Sequence, residues 1–421
     1  HERFPTALRI AFAPRNPAEL VVSTTFGLLH SRDGGRSFRY VCAAGLGAGP
    51  RDAPAVTLGP EGRWTVGLIS GLVHSKDAGC TMTADPTLGA TFVSDVRAVN
   101  ESDTVLLVTA SSQSDNQLYV SIDGGATFQA RGTSLGDQLL RNVHSAPSDP
   151  DVLYVSAARP AQEVGETRTS TLLRSDDGGE HFEALPVPFS EDSFELLVMA
   201  VDPENPKRVY AVRRRADSEP LLRSDDGGEH FEEIFSAPGP LLGVAIGRDG
   251  SLYVGGEQAG LWRSDGRGGT FEQLHDDLQV TCLSYEDDAL FVCDRGLTSG
   301  FQVGRSEDRG ETFAPVLRFA DLDGVDICRR DTKTGAICAE ELADVHDELA
   351  IFREVAQSTT APDPSGTVDA GAAGSELRRP NVTGRCSIAS SDPSASRTSP
   401  LTHAIAFGLY LLARLRRRRR W

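Results

Sequence analysis

The chain has 421 residues, 39% of them hydrophobic, with 42 Gly and 23 Pro, which is enough for one large domain or two ordinary ones around a packed core. The formal charge of −18 includes six arginines, Arg414 and residues 416–420, in a C-terminal stretch without acids, so everything before them carries −24. Such a field repels nucleic-acid phosphates and excludes nucleic acid as the expected partner, while recurring Val, Leu, Thr and Phe runs between Gly and Pro set the expectation to all-β.

From the N-terminus, the turn signal Ala13-Pro14-Arg15-Asn16-Pro17 precedes an apolar strand, and Ser31-Arg32-Asp33-Gly34-Gly35-Arg36-Ser37-Phe38 follows it. Both elements come back. The turn signal recurs as Ala146-Pro147-Ser148-Asp149-Pro150 and Asp202-Pro203-Glu204-Asn205-Pro206. The Ser-to-Phe segment recurs around Asp77, Asp123, Asp177, Asp226 and Asp308, with Met82 in place of the aromatic in the second copy and Arg309 in place of a Gly in the last. A further copy at Ser264 moves the acid one place, to Asp265. The leading serines, 31, 75, 121, 175, 224, 264 and 306, are 44, 46, 54, 49, 40 and 42 residues apart. A period of this length points to a propeller or solenoid, and seven copies predict seven blades.

The segment reads as a strand-to-strand turn. Ser and Asp side chains accept from backbone N–H groups that the turn leaves unpaired, Gly supplies positive φ, and the final Phe begins the next strand and buries its ring between neighbouring sheets. Its acids, as in Asp176-Asp177 and Asp225-Asp226 beside Gly-Gly-Glu, can also bind calcium; the turn role is the reading adopted, and no metal is expected. Each unit then reads strand, Asn/Asp-Pro turn, strand, loop, strand, Ser-to-Phe turn, strand, which makes four antiparallel strands per blade.

This pattern resembles the Asp-box, or BNR, repeat of sialidases, sortilin-type receptors, photosystem assembly factors of the Ycf48 type and several glycoside hydrolases, over about residues 4–320. The resemblance implies a seven-bladed β-propeller in which Asp33, Asp77, Asp123, Asp177, Asp226 and Asp308 are structural and ligands bind on the face opposite these turns. Length variation falls on that loop face, at 111–117, 157–171 and 213–219. Arg213-Arg214-Arg215 is the basic cluster of the acidic body and the candidate binding residue set, for a carboxylate or phosphate held in bidentate fashion, against the plainer reading that it pairs with Asp217 and Glu219. A sialidase needs three Arg for the sugar carboxylate, a Tyr–Glu pair and an acid catalyst. That set is not evident: Arg3-Phe4-Pro5 is a poor match to the expected N-terminal segment, and Tyr119, Tyr154, Tyr210 and Tyr253 fall in strands where core packing is the default.

None of the seven cysteines forms a C-x-x-C pair, so neither metal nor cofactor is expected. Cys282 with Cys293 and Cys328 with Cys338 are near enough in sequence to close short loops, and Cys42 can pair with Cys80 one repeat on, which implies an oxidising compartment; the other pairings stay open.

After the last repeat, Ile337, Leu342, Val345, Leu349, Phe352 and Val355 recur at helical spacing over 335–355, and the amphipathic helix is expected to pack on the propeller. Residues 357–400 are a Ser/Thr/Ala/Gly/Pro-rich stalk, and 401–415 form a short apolar segment before the arginines. Gly384-Arg385-Cys386-Ser387 with that segment and the Arg block resembles the Myxo-type C-terminal sorting tail, which implies Cys386 as processing site and a membrane-attached tail, with a plain tail anchor as the alternative. The absence of Met at His1 fits a signal peptide already removed. The domain plan is 1–320 propeller, 321–356 disulfide loop and helix, 357–400 stalk, and 401–421 apolar helix with Arg cluster. The expected function is noncatalytic binding of a protein or glycan at the cell surface or outside the cell, with a sialidase-type hydrolase and a Ycf48-type assembly factor as alternatives.

Overall fold

In the computed structural model, each Ser-to-Phe turn joins the third and fourth strands of a four-stranded antiparallel sheet, and the seven sheets use their strands in sequence order. The structure describes residues 4–352 apart from 50–51, 100–101, 160–168, 186, 188–192, 216–217 and 323–324. The innermost strands, Ala7–Ala13, Ala55–Leu58, Val93–Ala98, Leu139–Ala146, Ser193–Val201, Gly243–Ile246 and Val280–Glu286, touch in cyclic order, and the last meets the first. The fold is a seven-bladed β-propeller, as the repeat predicts. The stalk, Cys386, the apolar segment and the Arg cluster expected over 357–421 lie outside the described residues, and no helix among the described residues is long and apolar enough to cross a membrane.

The turn chemistry is the same in six blades. In blade 1, Ser31 Oγ donates to Asp33 Oδ1 (2.8 Å) and accepts from Gly35 N (2.8 Å), while Asp33 accepts from Ser37 N (2.9 Å) and Ser37 Oγ (2.6 Å). In blades 4 and 5, His181 and His230 replace that hydroxyl and bring Nδ1 to 2.7 Å from Asp177 and Asp226. The displaced acid of blade 6 leaves Ser264 Oγ donating to the Asp265 carbonyl instead (3.2 Å). Gly34 N also donates to the Ala18 carbonyl, and Gly178 N to that of Asp151, both at 2.8 Å, so these turns are tied to the first hairpin of their own blade and share its face.

The second glycine of the turn is where one blade meets the one before. Gly35 has φ +89°, and a Cβ there would stand 2.3 Å from Val316 Cγ1 of blade 7. The equivalents make the same close approach: Gly125 to Thr65, Gly179 to Leu118, Gly228 to Leu172, Gly268 to Ile234 and Gly310 to Leu274. The closing residues Phe38, Met82, Phe128, Phe182, Phe231, Phe271 and Phe313 are half-buried, each at the rim of a different one of seven apolar clusters that fill the seven seams.

The end of the chain corrects the expected disulfides. Cys282 and Cys293 are bonded, facing each other across the first two strands of blade 7. The other four cysteines do not pair locally: Cys42 bonds Cys338 and Cys80 bonds Cys328. The cause is a two-residue strand, Asp326–Ile327, that runs parallel to the outer strand Arg39–Cys42 and carries the segment back onto blades 1 and 2. The following helix, Lys333–Glu348, is capped by Thr332 Oγ1 accepting from Gly335 N (3.0 Å). Its Cys338 and Val345, with Leu349 and Phe352 just beyond, pack in the seam between blades 7 and 1, where Phe26, Phe319, Phe352 and Phe4 contact in turn at 5.1, 5.4 and 5.6 Å.

Two expectations follow from the turns. Gly34 and Gly35 both have positive φ, but a Cβ at Gly34 meets nothing within 4 Å. Gly34→Ala should cost about 1 kcal/mol, the left-handed penalty alone, whereas Gly35→Ala adds overpacking and should cost about 2–4 kcal/mol in urea unfolding. Equal costs would remove the seam contact from the account. Acid should act on the aspartates. Bonds from Ser37, its hydroxyl first, hold Asp33 at about 2 against an ordinary 3.8, and the His230 N–H foremost holds Asp226 at about 2. Carboxylates depressed in the folded state contribute stability above their unfolded value and lose it as pH falls through the folded one. Melting temperature should therefore drop between about pH 4 and pH 2, and Asp33→Asn should lower it at pH 5 by more than at pH 2.

Candidate functional site

Polar groups enter the centre of the ring through a repeated irregularity. Pairing with the second strand skips a residue near the start of five inner strands: Leu8, Ser94, Arg141, position 194 and Thr281. Each bulge re-aims the side chains around it. The skipped hydroxyls reach the next blade, Ser94 Oγ donating to the Leu140 carbonyl (2.7 Å) and Thr281 Oγ1 to that of Ala7 (2.6 Å). The residues after the bulges are Arg9, Asp95, Asn142, Glu195 and Cys282.

Asp95 is the hub. It is 3% exposed and accepts four bonds, from Arg9 Nη1 (2.8 Å), Arg97 Nε (2.8 Å), Val96 N (3.1 Å) and Val143 N (3.2 Å). Blades 1, 3 and 4 thus meet on one carboxylate. Burial opposes its ionisation, but Arg97 first and then Arg9 draw it well below the usual carboxylate range. His144, on the inner strand of blade 4, is nine-tenths buried, and burial followed by the nearby Arg97 charge holds its imidazole well below its ordinary value. It is therefore neutral at pH 7, and its Nε2 has no hydrogen-bond partner.

These groups line a channel. One stretch of about 880 Å³ is bounded by Arg9, Arg97 and inner-strand residues such as Val56, Met199, Val244 and Leu283. Another of about 430 Å³ adds His144, Tyr285, Asp287 and the hairpin residues Pro147, Pro203 and Arg248.

Arg213, Arg214 and Arg215 end the second strand of blade 5, Val209–Arg215, where alternation sends neighbours to opposite sides. Arg213 Nη2 pairs with Glu233 Oε2 (3.2 Å). Arg214 turns toward the ring centre, 3.6 Å from Glu195 and 3.7 Å from Glu219, and Arg141 Nε reaches the same Glu195 at 2.7 Å. Arg215 is itself in a polar contact. Glu195 is largely buried and anchors the half-exposed guanidiniums of Arg141 and Arg214; Glu219 lies beside Arg214, and burial raises its carboxyl. Neighbours in sequence, Arg213 and Arg214 thus join different clusters in space. Of the inserts around it, 160–168 and 216–217 lie outside the described residues.

The other sequence candidates have structural roles. Tyr154 and Tyr210 donate their hydroxyls across seams to the Pro206 and Arg267 carbonyls (2.8 and 3.0 Å), Tyr253 is buried against Tyr285, and Tyr119 is half-buried. Asp176 pairs with Arg174, and Asp225 with Arg208 and Arg223. Asp226, Glu229 and His230 offer ligand atoms within 4.8 Å of one another, but both Asp226 oxygens already serve the turn.

No protein-family model matches the chain, and no curated protein does. Among solved structures, Ycf48 from Cyanidioschyzon merolae is 15% identical over 69% of this chain and 93% of its own, with a TM-score of 0.46. The GH74 xyloglucanase from Xanthomonas campestris is 17% identical over 73% of this chain and 64% of its own, at 0.36. The extracellular domain of a hybrid two component system from B. thetaiotaomicron is 12% identical over 72% of this chain and 38% of its own, at 0.51. At such identities the likeness is one of fold.

Removing the hub should be far costlier than removing a surface pair. Asp95→Ala leaves two guanidiniums without their shared carboxylate and should cost about 3–5 kcal/mol in urea unfolding, whereas Arg329→Ala, whose pair with Asp331 is exposed on both sides, should cost under about 1 kcal/mol. Similar losses would show that Asp95 is not the hub.

Proposed function

We propose that the chain is a noncatalytic binding scaffold of the cell surface or exterior, an Asp-box propeller that recognises an acidic segment of a partner protein through its loop face. The observation that carries this reading is the pair Arg141–Arg214, whose guanidiniums are set around the buried Glu195 before any partner arrives. Cations fixed in advance lose less freedom on binding than mobile surface lysines, and the planar fork suits carboxylates. Three disulfides support an oxidising compartment, and the resemblance of the C-terminal tail to sorting tails supports display at the surface.

Fluorescence anisotropy with a labelled oligoglutamate peptide tests the reading, beside an array of acidic glycans and a fluorogenic sialoside. The peptide is expected to bind more weakly as salt rises, and Arg141→Lys, which keeps a positive charge beside Glu195 but removes the planar fork, to lower its affinity about tenfold while leaving melting temperature nearly unchanged. Glycan binding without peptide binding would move the partner to carbohydrate. Sialoside turnover would replace the scaffold with a hydrolase.

A further inference from the structure

We propose that the central channel is a binding site for a small ligand carrying one oxyanion, a carboxylate or a phosphate group, which enters from the face of the Ser-to-Phe turns and seats between Arg97 and His144. This site is separate from the loop-face rim of blade 5 and does not rest on the reading above.

The path is set by the lining. The two stretches share Arg97, Met199, Val244, Leu283, Ser284 and Glu286, so they are parts of one passage. Pro147, Pro203, Arg248 and Asp287 belong to the hairpins that join first and second strands, which places the mouth on the turn face. Volumes of about 880 and 430 Å³ suit a metabolite-sized molecule, and the walls between the polar groups are the apolar Met199, Val244 and Leu283.

The chemistry follows from what the polar groups have left to offer. Asp95 has its four acceptor positions filled, so it orients Arg97 through Nε and does not compete for a ligand hydroxyl. Arg97 keeps about a third of its side chain exposed, 34%, with its Nε fixed by that bond. An oxyanion is the natural complement of a guanidinium held in this way. His144 supplies the second observation: it is nine-tenths buried, lines the passage beside Arg97, and its Nε2 has no hydrogen-bond partner. A neutral imidazole accepts from the hydroxyl of a hydroxy acid or of a protonated phosphate, and a protonated one donates to the anion itself. Glu286 and Asp287 from blade 7 stand toward the mouth with Arg248 of blade 6, and their carboxylates disfavour polyanions, which limits the ligand to a single anionic group.

Binding should be coupled to a proton. The groups around His144 are Arg97, Asp95 and Arg9 from blades 3 and 1, with Arg248, Tyr285, Glu286 and Asp287 across the passage. Burial, and after it the Arg97 charge, depress the free imidazole. An anion on Arg97 offsets that charge, so the imidazole is more basic in the complex, the complex takes up a proton, and affinity rises as pH falls.

The test is calorimetric titration of the full chain with lactate, acetate, inorganic phosphate and glucose 6-phosphate, with glucose as the neutral control, at pH 7.5 and 5.5, and NMR of the His144 imidazole nitrogens alongside. One class of anion is expected to bind at one per chain, to shift the His144 resonances, and to bind more tightly at pH 5.5 than at pH 7.5. Response to lactate and acetate alone identifies a carboxylate ligand, and response to the two phosphates alone a phosphate ligand. His144→Gln should abolish the pH dependence while keeping the melting temperature, and Arg97→Lys, which keeps the charge toward Asp95, should weaken binding about tenfold. No binding by any anion up to about 20 mM to the folded chain, or binding that neither variant changes, overturns the proposal.

Discussion

A propeller blade cannot bury its own apolar face, because a single four-stranded sheet has two faces and one neighbour on each. Stability therefore lives in the seams, and every seam here is made in the same way: the second turn glycine of one blade lies flat against a side chain of the blade before, and the half-buried aromatic or Met82 that follows closes the rim of the same cluster. Gly35 against Val316 is the instance that joins the last blade to the first. The Ser and Asp of each turn matter because they hold that glycine at its positive φ. A change at a turn is thus felt between blades as much as within one.

Closure brings a second requirement. All four strands of blade 1 come from the beginning of the propeller and all four of blade 7 from its end, so no shared sheet ties the ends together. The tie is made by the segment after blade 7. Asp326–Ile327 extends blade 1 by a parallel strand, the two long-range disulfides span 296 and 248 residues, and the helix covers the seam with an aromatic cluster. Cross-links over such long loops remove the most chain entropy, of order 4–5 kcal/mol each in isolation and less for two nested ones.

How much could be read in the sequence follows the range of the interactions. The turns are closed by bonds over two to four residues, Ser31 to Asp33 and Ser31 to Gly35, so their pattern is written contiguously and the blade count with it. The helix is legible for the same reason. Of the disulfides, the local Cys282–Cys293 was legible and the other two were not: Cys328 and Cys338 look like a local pair, and only a two-residue parallel strand with no pattern of its own carries them to Cys80 and Cys42. The polar centre was less legible still. Arg9, Asp95 and Val143 are brought together by ring closure and by bulges that leave no mark in the sequence, and Arg141, which shares Glu195 with Arg214, sits alone in an apolar strand. Arg213-Arg214-Arg215 stood out because it is contiguous, and strand alternation then divided it.

The charge distribution limits how such a ring can recognise an anion. The body before the last arginines carries −24, so an acidic partner or ligand that comes within about a Debye length, roughly 8 Å at physiological salt, is repelled rather than steered in. Association must then depend on contacts made at short range, where a guanidinium already oriented by a buried carboxylate presents its fork with little further ordering. Asp95 does this for Arg97, and Glu195 for Arg214 and Arg141. Both anchors lie beside inner-strand bulges, where the inner strands depart from the regular ladder. A cation that is fixed, few in number and surrounded by negative surface discriminates by fit, since an anion that does not reach it has only repulsion to meet.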